Sequence, residues 1–272
     1  MSEAESELPP LREVIRAHGL AAIHALGQHF LLDTNLIDRI ARAAGPFEGV
    51  SAIEVGPGPG GLTRALLAHG AEHVYAIEKD RRCIEALDDL IQRSDGRLTL
   101  LADDALEIDA ASLGHPPRRI VANLPYNIST VLLVRWLAEI AAFDRIIIMV
   151  QKEVADRLVA KPSTKAYGRL SVMTQWRCEA RIAFNVARTA FVPPPKVASS
   201  VVVLTPRAEP LAPAEWSKLE RVVAAAFNQR RKMLRSSLKE WHFDFDALGI
   251  PPTARAEELS VEQFCALARA GA

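Results

Sequence analysis

The chain has 272 residues, and at ~150 residues per domain that is about 1.8 domains, so a main domain with a smaller companion is expected. It is 49% hydrophobic and 24% charged, ordinary globular usage that excludes a disordered, collagen-like or repeat chain. Lysine plus arginine (33) balances aspartate plus glutamate (33), which excludes a uniformly basic coat for nucleic acid but leaves room for a local patch.

Cys83, Cys178 and Cys265 are far apart and form no CxxC pair, so neither a metal site nor a disulfide framework is expected. The acidic start, Met1 to Pro10, has no apolar signal-peptide core. The densest apolar run, Ile146 to Val150, is far shorter than the ~20 residues of a membrane helix. The expectation is a soluble protein of a reducing, cytoplasmic compartment with no membrane partner.

In chain order, a polar N-terminal extension (1–25) carries a short helix over Leu11–His18. Asp33 then caps a helix whose apolar positions Leu36, Ile37, Ile40, Ala41 and Ala44 keep helical spacing. After Gly45-Pro46, short apolar runs recur at Val50–Val55, Val74–Glu78, Leu98–Ala102, Arg119–Ala122 and Arg145–Val150. Stretches of helical periodicity, Leu62–Ala68 and Arg81–Arg93, lie among them. Buried strands alternating with helices predict an α/β, Rossmann-like, doubly wound parallel sheet. A helix near Val154–Val159 and two strand-like runs, Glu179–Val186 and Ser199–Leu204, bring the sheet to seven strands with an antiparallel edge. Pro206, Pro210 and Pro213 mark a linker. Beyond it the spacing predicts helices only, at Glu215–Arg235, Phe245–Leu248 and Val261–Ala270. The domains expected are therefore 1–207 and a small helical 208–272.

Ile53-Glu54-Val55-Gly56-Pro57-Gly58-Pro59-Gly60-Gly61 stands where a strand turns into a helix. Glycines there let the backbone approach a ligand, and the following helix offers free N–H groups. Gly56, Gly58 and Gly61 fit GxGxxG, which serves NAD as well as other nucleosides. Glu78, ending the next strand, has the chemistry to accept two ribose hydroxyls. Asp103-Asp104 end the third strand, where a carboxylate could take the exocyclic amine of adenine; loop aspartates are also commonly just solvated.

Asn123-Leu124-Pro125-Tyr126 follows the fourth strand, at the carboxyl end where ligands bind in this architecture. Strand carbonyls and the Asn123 side-chain oxygen both accept hydrogen bonds from an amino group, Pro125 stiffens the loop, and Tyr126 offers a flat face to a base. The pattern resembles the (Asp/Asn/Ser)-Pro-Pro-Tyr motif of enzymes that methylate exocyclic amines of nucleobases, with Leu124 in place of the first proline. The adenine N6 lone pair is delocalised into the ring. Two acceptors on its hydrogens draw the nitrogen toward tetrahedral geometry without a general base. Alignment of the reactants supplies about 7–11 kcal/mol of such a barrier. The plain alternative is a loop whose Asn and Tyr merely stabilise a turn.

These motifs occur together with Gly27–Asp33 (GQHFLLD), Asn123–Thr130 (NLPYNIST), Gln151–Leu158 (QKEVADRL), Ala166–Val172 (AYGRLSV), Phe191–Val197 (FVPPPKV) and Phe227–Leu238 (FNQRRKMLRSSL). From about residue 20 to the C-terminus the chain resembles the ribosomal RNA adenine N6,N6-dimethyltransferase family, and within it the bacterial small-subunit members. The resemblance implies a class I methyltransferase fold and S-adenosylmethionine as cofactor. It implies as substrate two adjacent adenosines near the 3′ end of 16S rRNA, in the small (30S) subunit or its precursor. Carried over position by position, it implies that His29, Leu31, Gly56, Glu78, Asp104 and Asn123 contact the cofactor, although many members have Asn at the place of His29. Asp104 is preferred to Asp103 because Ala105 follows it. Phe191 would stack on the flipped adenine opposite Tyr126; such stacking is worth roughly 1–3 kcal/mol per base, about the order of extruding it.

Five cationic residues, Arg230, Arg231, Lys232, Arg235 and Lys239, lie together with no acidic one among them. On the predicted helix Arg231, Arg235 and Lys239 would share a face and contact RNA phosphates. The tail from 208 has nine basic and nine acidic residues, so this is a local stripe, and a solvated helix face is the plain alternative. Lys161, Lys165 and Arg169, with Tyr167-Gly168 interleaved, are a second candidate. His69–His73 spells the metalloprotease pattern H-x-x-E-H, but Gly70 interrupts the helix it requires. Cys83 reads as packing. Three other functions share features with this one: a large-subunit rRNA methyltransferase, an NAD-dependent dehydrogenase, and a non-catalytic checkpoint of subunit assembly. Leu248–Pro252 (LGIPP) and Arg255–Leu259 (RAEEL) resemble the small-subunit enzyme. Nothing requires more than a monomer.

Overall fold

The computed structural model describes residues 8–20 and 28–271. Residues 1–7 and 21–25 of the expected N-terminal extension, and Gly27, lie outside them. The chain divides into two compact units, one of residues up to 152 with 182–204, the other of 153–181 with 205 onward.

The first unit opens with α1 (Leu11–Ala17), β1 (Phe30–Leu31) and α2 (Thr34–Ala44). Asp33 caps α2 as its position predicts, its Oδ1 accepting from the N–H groups of Asn35 and Leu36 at 3.0 and 3.2 Å. The alternating series follows: β2 (Ser51–Val55), α3 (Gly61–Ala68), β3 (His73–Ile77), α4 (Arg81–Ala86), α5 (Asp88–Gln92), β4 (Leu98–Leu101), β5 (Arg118–Asn123), α6 (Ser129–Ala138) and β6 (Arg145–Gln151). The helix predicted over 81–93 is thus two. At Leu87 the N–H turns to Ile84 O at 3.1 Å, a tighter three-residue step that ends α4.

Then come α7 (Lys152–Leu158), α8 (Arg169–Arg177), β7 (Cys178–Val186), β8 (Phe191–Val192) and β9 (Ser199–Pro206). The seven-stranded sheet has the order β4-β3-β2-β5-β6-β9-β7. Strands β4 to β6 are mutually parallel, and β9 runs antiparallel to β6. Ile146 to Val150 on β6 are fully enclosed. An apolar side chain so buried contributes about 1.5–3 kcal/mol, which is why the centre of the sheet is a continuous apolar run. A pairing that no periodicity announces joins β1 to β8, Phe30 opposite Val192 and Leu31 opposite Phe191. It brings the GQHFLLD and FVPPPKV segments together.

The second unit continues with α9 (Trp216–Asn228), α10 (Leu234–Ser237) and α11 (Val261–Ala270), and its described residues contain only one isolated bridge, Met233 with Arg255, beyond the ends of β7 and β9. Its C-terminal part starts at 205, where the sequence predicts 208, and it also takes in 153–181. The reason is apolar: Tyr167, Val172, Met173 and Trp176 share a core with Leu219, Val222, Val223 and Phe264. The helix predicted over 215–235 ends at Asn228. From Leu234 the backbone bonds the loop opposite, Leu234 N–H to Ala254 O at 2.8 Å and Arg235 N–H to Pro252 O at 3.3 Å. Phe245–Leu248 is a run of turns rather than a helix.

Candidate active site

The neighbouring strands β3, β2 and β5 end on one edge of the sheet. That edge carries Glu78, the glycine loop and Asn123. In this architecture ligands bind there. Gly58 sits at φ 56°, where a side chain is strained, and a Cβ would come within 3.3 Å of the Phe30 ring. Its N–H donates to Glu78 Oε2 at 3.1 Å. Glu78 Oε1 accepts from the N–H groups of Lys79 and Asp80, each at 2.9 Å. Burial pushes the Glu78 carboxyl above its usual range, and these three N–H groups hold it back. Both lone pairs of Oε1 are met by these N–H groups, and Oε2 keeps one for a ribose hydroxyl.

Behind it Glu54, 1% exposed, accepts from Thr63 Oγ1 at 2.7 Å. Burial, reinforced by Glu78, pushes its carboxyl up to about 8. Asp80 receives Gln28 Nε2 at 2.7 Å and a two-pronged contact from Arg82, Nε to Oδ1 at 3.1 Å and the second prong to Oδ2 at 2.7 Å. Arg82 brings the Asp80 carboxyl down to about 2. The segment before β1 is thereby tied to the loop that carries Glu78. Asp104 accepts from the Leu106 N–H and from Lys79 Nζ, both at 3.0 Å, and both contacts hold its carboxyl low.

At the end of β5, Asn123 Nδ2 donates to His29 O at 3.4 Å, which turns Oδ1 away as an acceptor. The carbonyls of Pro125 and Tyr126 are occupied at the start of α6, by the N–H groups of Ile128 and Ser129 and by Ser129 Oγ. Among the described residues Leu124 O takes part in none of these bonds, and Leu124 is buried. The Tyr126 hydroxyl lies 2.7 Å from Ser199 Oγ. The His29 ring is 5.6 Å from that of Tyr126, and its Nδ1 is 2.9 Å from Pro193 O. One pocket is lined by His29, Leu31, Gly56, Glu78, Asp104 and the run Asn123 to Tyr126.

The chain matches the family model described as ribosomal RNA adenine dimethylase over residues 21–271. It belongs to that family. It is 63% identical to the ribosomal RNA small subunit methyltransferase A of Paramagnetospirillum magneticum, covering 97% of this chain and 95% of that one. Among solved structures it is similar to a dimethyladenosine transferase from Plasmodium falciparum, at 25% identity over 88% of this chain and 96% of that one, with a TM-score of 0.77. It is also similar to a 23S rRNA methyltransferase, at 28% identity over 89% and 99%, with a TM-score of 0.68.

The methyl donor of this dimethylase is S-adenosylmethionine, and the residues on the pocket wall fit it. Gly58 leaves its Cβ space open beside Phe30, and the Glu78 and Asp104 carboxylates match ribose hydroxyls and an amine. All six residues expected at the cofactor line the same pocket, and so do four of the five expected at the reaction. Phe191 is the exception. It is 1% exposed in the core behind the pocket, edge-on to His29 at 6.5 Å. Its pairing in β8 turns it inward, so in this conformation it presents no face to a base. Sequence reasoning passed over Glu54, Gln28, Asp80 and Ser199. Glu54 and Gln28 stand inside the IEVGPGPGG and GQHFLLD segments, and Asp80 and Ser199 lie two residues beyond Glu78 and FVPPPKV.

In the second unit the cationic stripe is not a helix face. Gln229 to Met233 form a turn, so Arg231, Arg235 and Lys239 do not share one side of a helix. Arg230 spends its guanidinium on Glu257 at 2.8 Å and on the carbonyls of Lys165 and Thr164 at 2.7 and 3.4 Å. Arg231, Lys232, Arg235 and Lys239 are exposed. Of the second candidate, Tyr167 is fully buried and Arg169 pairs with Glu220 at 2.9 Å, which leaves Lys161 and Lys165 at the surface. Burial raises the thiol of Cys83, in keeping with packing. The described residues hold no group of three or more metal-ligating side chains and no helix long and apolar enough to cross a membrane.

Proposed function

We propose that this chain transfers methyl groups from S-adenosylmethionine to N6 of two adjacent adenosines near the 3′ end of 16S rRNA, giving N6,N6-dimethyladenosine. The observation that carries the reading is the meeting of two halves in one pocket, the ribose-binding Glu78 with its glycine loop and the amine-accepting Asn123-Leu124-Pro125-Tyr126. A dehydrogenase would need the first half and has no use for the second. The choice of small-subunit RNA rests on the 63% identity to a relative named for it.

The bound cofactor supplies an electrophilic methyl group. Around it, Gly56, Leu31 and His29 wall the cleft, Glu78 takes the ribose and Asp104 takes the adenine amine, exchanging its Lys79 contact for it. Asn123 Oδ1 and Leu124 O accept the two hydrogens of the target N6, Pro125 keeps the loop stiff, and Tyr126 stacks on the extruded base. Phe191 backs the His29 ring and joins the stack only if that ring moves aside. Arg231, Lys232, Arg235 and Lys239 meet phosphates of the RNA, while Arg230 holds their turn in shape. The chain acts as a monomer, in the cytoplasm, on the small subunit or its precursor.

The test is incubation of small subunits lacking the modification with radiolabelled S-adenosylmethionine, followed by nucleoside analysis. Dimethyladenosine in the 3′-terminal fragment is the expected result. Tight subunit binding without transfer would assign an assembly checkpoint instead, and label only in large-subunit RNA would reassign the substrate.

A further inference from the structure

Dimethylation sets two tasks that differ in hydrogen count. In each, the N6 lone pair forms the new C–N bond, the electron pair of the broken S–C bond stays on sulfur, and one N–H proton passes to water. Before the first transfer N6 carries two hydrogens, one for Asn123 Oδ1 and one for Leu124 O. Before the second it carries one hydrogen and a methyl group. Only one of the two acceptors can then be engaged, and alignment falls on whatever holds the ring of the base.

In the structure that is Tyr126, because Phe191 is 1% exposed. The Tyr126 backbone is fixed through its carbonyl, which Ser129 Oγ meets at 3.1 Å. Its ring is fixed at the far end by the 2.7 Å contact with Ser199 Oγ. Ser199 is fully buried at the first position of β9, in register with Gln151 of β6, so its hydroxyl is anchored to the sheet. We propose that Ser199 is a positioning residue that acts through Tyr126 and is required chiefly for the second methyl transfer. The role rests on the N6-dimethylation reading and extends it to the extent of methylation.

The experiment is single-turnover methylation of unmodified small subunits, resolving N6-methyladenosine from N6,N6-dimethyladenosine over time. In Ser199→Ala the rate of the second transfer relative to the first falls about three- to tenfold, the scale of one lost hydrogen bond, and the monomethyl product accumulates. Tyr126→Phe removes only the partner oxygen, so it tests the same bond even if the serine variant folds poorly. It gives the same change, and the double variant adds little to either. An unchanged ratio in Tyr126→Phe, or additive losses in the double variant, would overturn the role of Ser199 while leaving the reaction in place. No methylated adenosine from the unaltered enzyme would overturn the reaction itself, and this role with it.

Discussion

The pocket of the first unit and the cationic stretch of the second were both conspicuous in the sequence, and they fared differently. The pocket residues stand at the ends of adjacent parallel strands, so once the strands are recognised their meeting follows from topology. Of the cationic residues, Arg230, Arg231 and Lys232 stand on a turn and Arg235 on α10, and a remote acid decides which of the cations the sequence offered is spent within its own unit. Glu257 claims Arg230 and Glu220 claims Arg169. A motif tied to a strand end carries its geometry with it, whereas a charge run does not.

The largest test of that contrast is Asn123→Ala. It should lower transfer by about 10²–10³, the scale of one preorganised polar group, with the thermal midpoint nearly unchanged. Near-normal transfer in a folded variant would break the claim that this loop does the chemistry. Next is Gly60→Ala. Gly60 sits at φ 86°, and a Cβ would come 2.7 Å from Leu87 and 3.1 Å from Leu90. The expected loss is about 1–3 kcal/mol in urea unfolding, and a variant as stable as the parent would show that the loop has slack.

On the other side of the comparison, Arg231→Ala and Lys232→Ala should each reduce the salt dependence of RNA binding by about one unit in log–log slope, at constant stability. Arg230→Ala should do the reverse, lowering the thermal midpoint with the slope unchanged. Equal behaviour of the three in binding measured across salt concentrations would restore the simple stripe.

A further effect, visible only as pH changes, concerns Glu54. Its folded carboxyl is raised from 4.5 to about 8, so the native state holds a proton that the unfolded chain releases. Stability from this group is full below pH 4.5 and declines as pH rises toward about 8. Glu54→Gln should flatten that decline in urea titrations across the window. A parallel curve for the two proteins would mean that Glu54 ionises in place.

The sheet and its parallel core were legible because buried strands write themselves as apolar runs, but the antiparallel strand expected at the edge is β9, which lies one place in, between β6 and β7. Glu78, Asn123 and Tyr126 were legible for the topological reason above. What was hidden has a common cause. The inward turn of Phe191, the Ser199–Tyr126 contact and the inclusion of 153–181 in the second unit all depend on pairings between distant segments. The break after Asn228 is of the same kind: Leu234 finds Ala254 in place of its own helix. Helical periodicity reports which residues are apolar, and it has no means of reporting a competing carbonyl across a loop.

The two-residue ribbon of β1 and β8 has a consequence in time. It fastens His29 to Pro193, 164 positions later, and so closes one wall of the cleft with the last part of the first unit to be made. A nascent chain holds Glu78 and Asn123 well before it holds Pro193, and closing so long a loop is entropically costly until the sheet beneath it has formed. Half-made copies therefore lack a finished wall, and competence to bind and react arrives only when synthesis has passed the final strand.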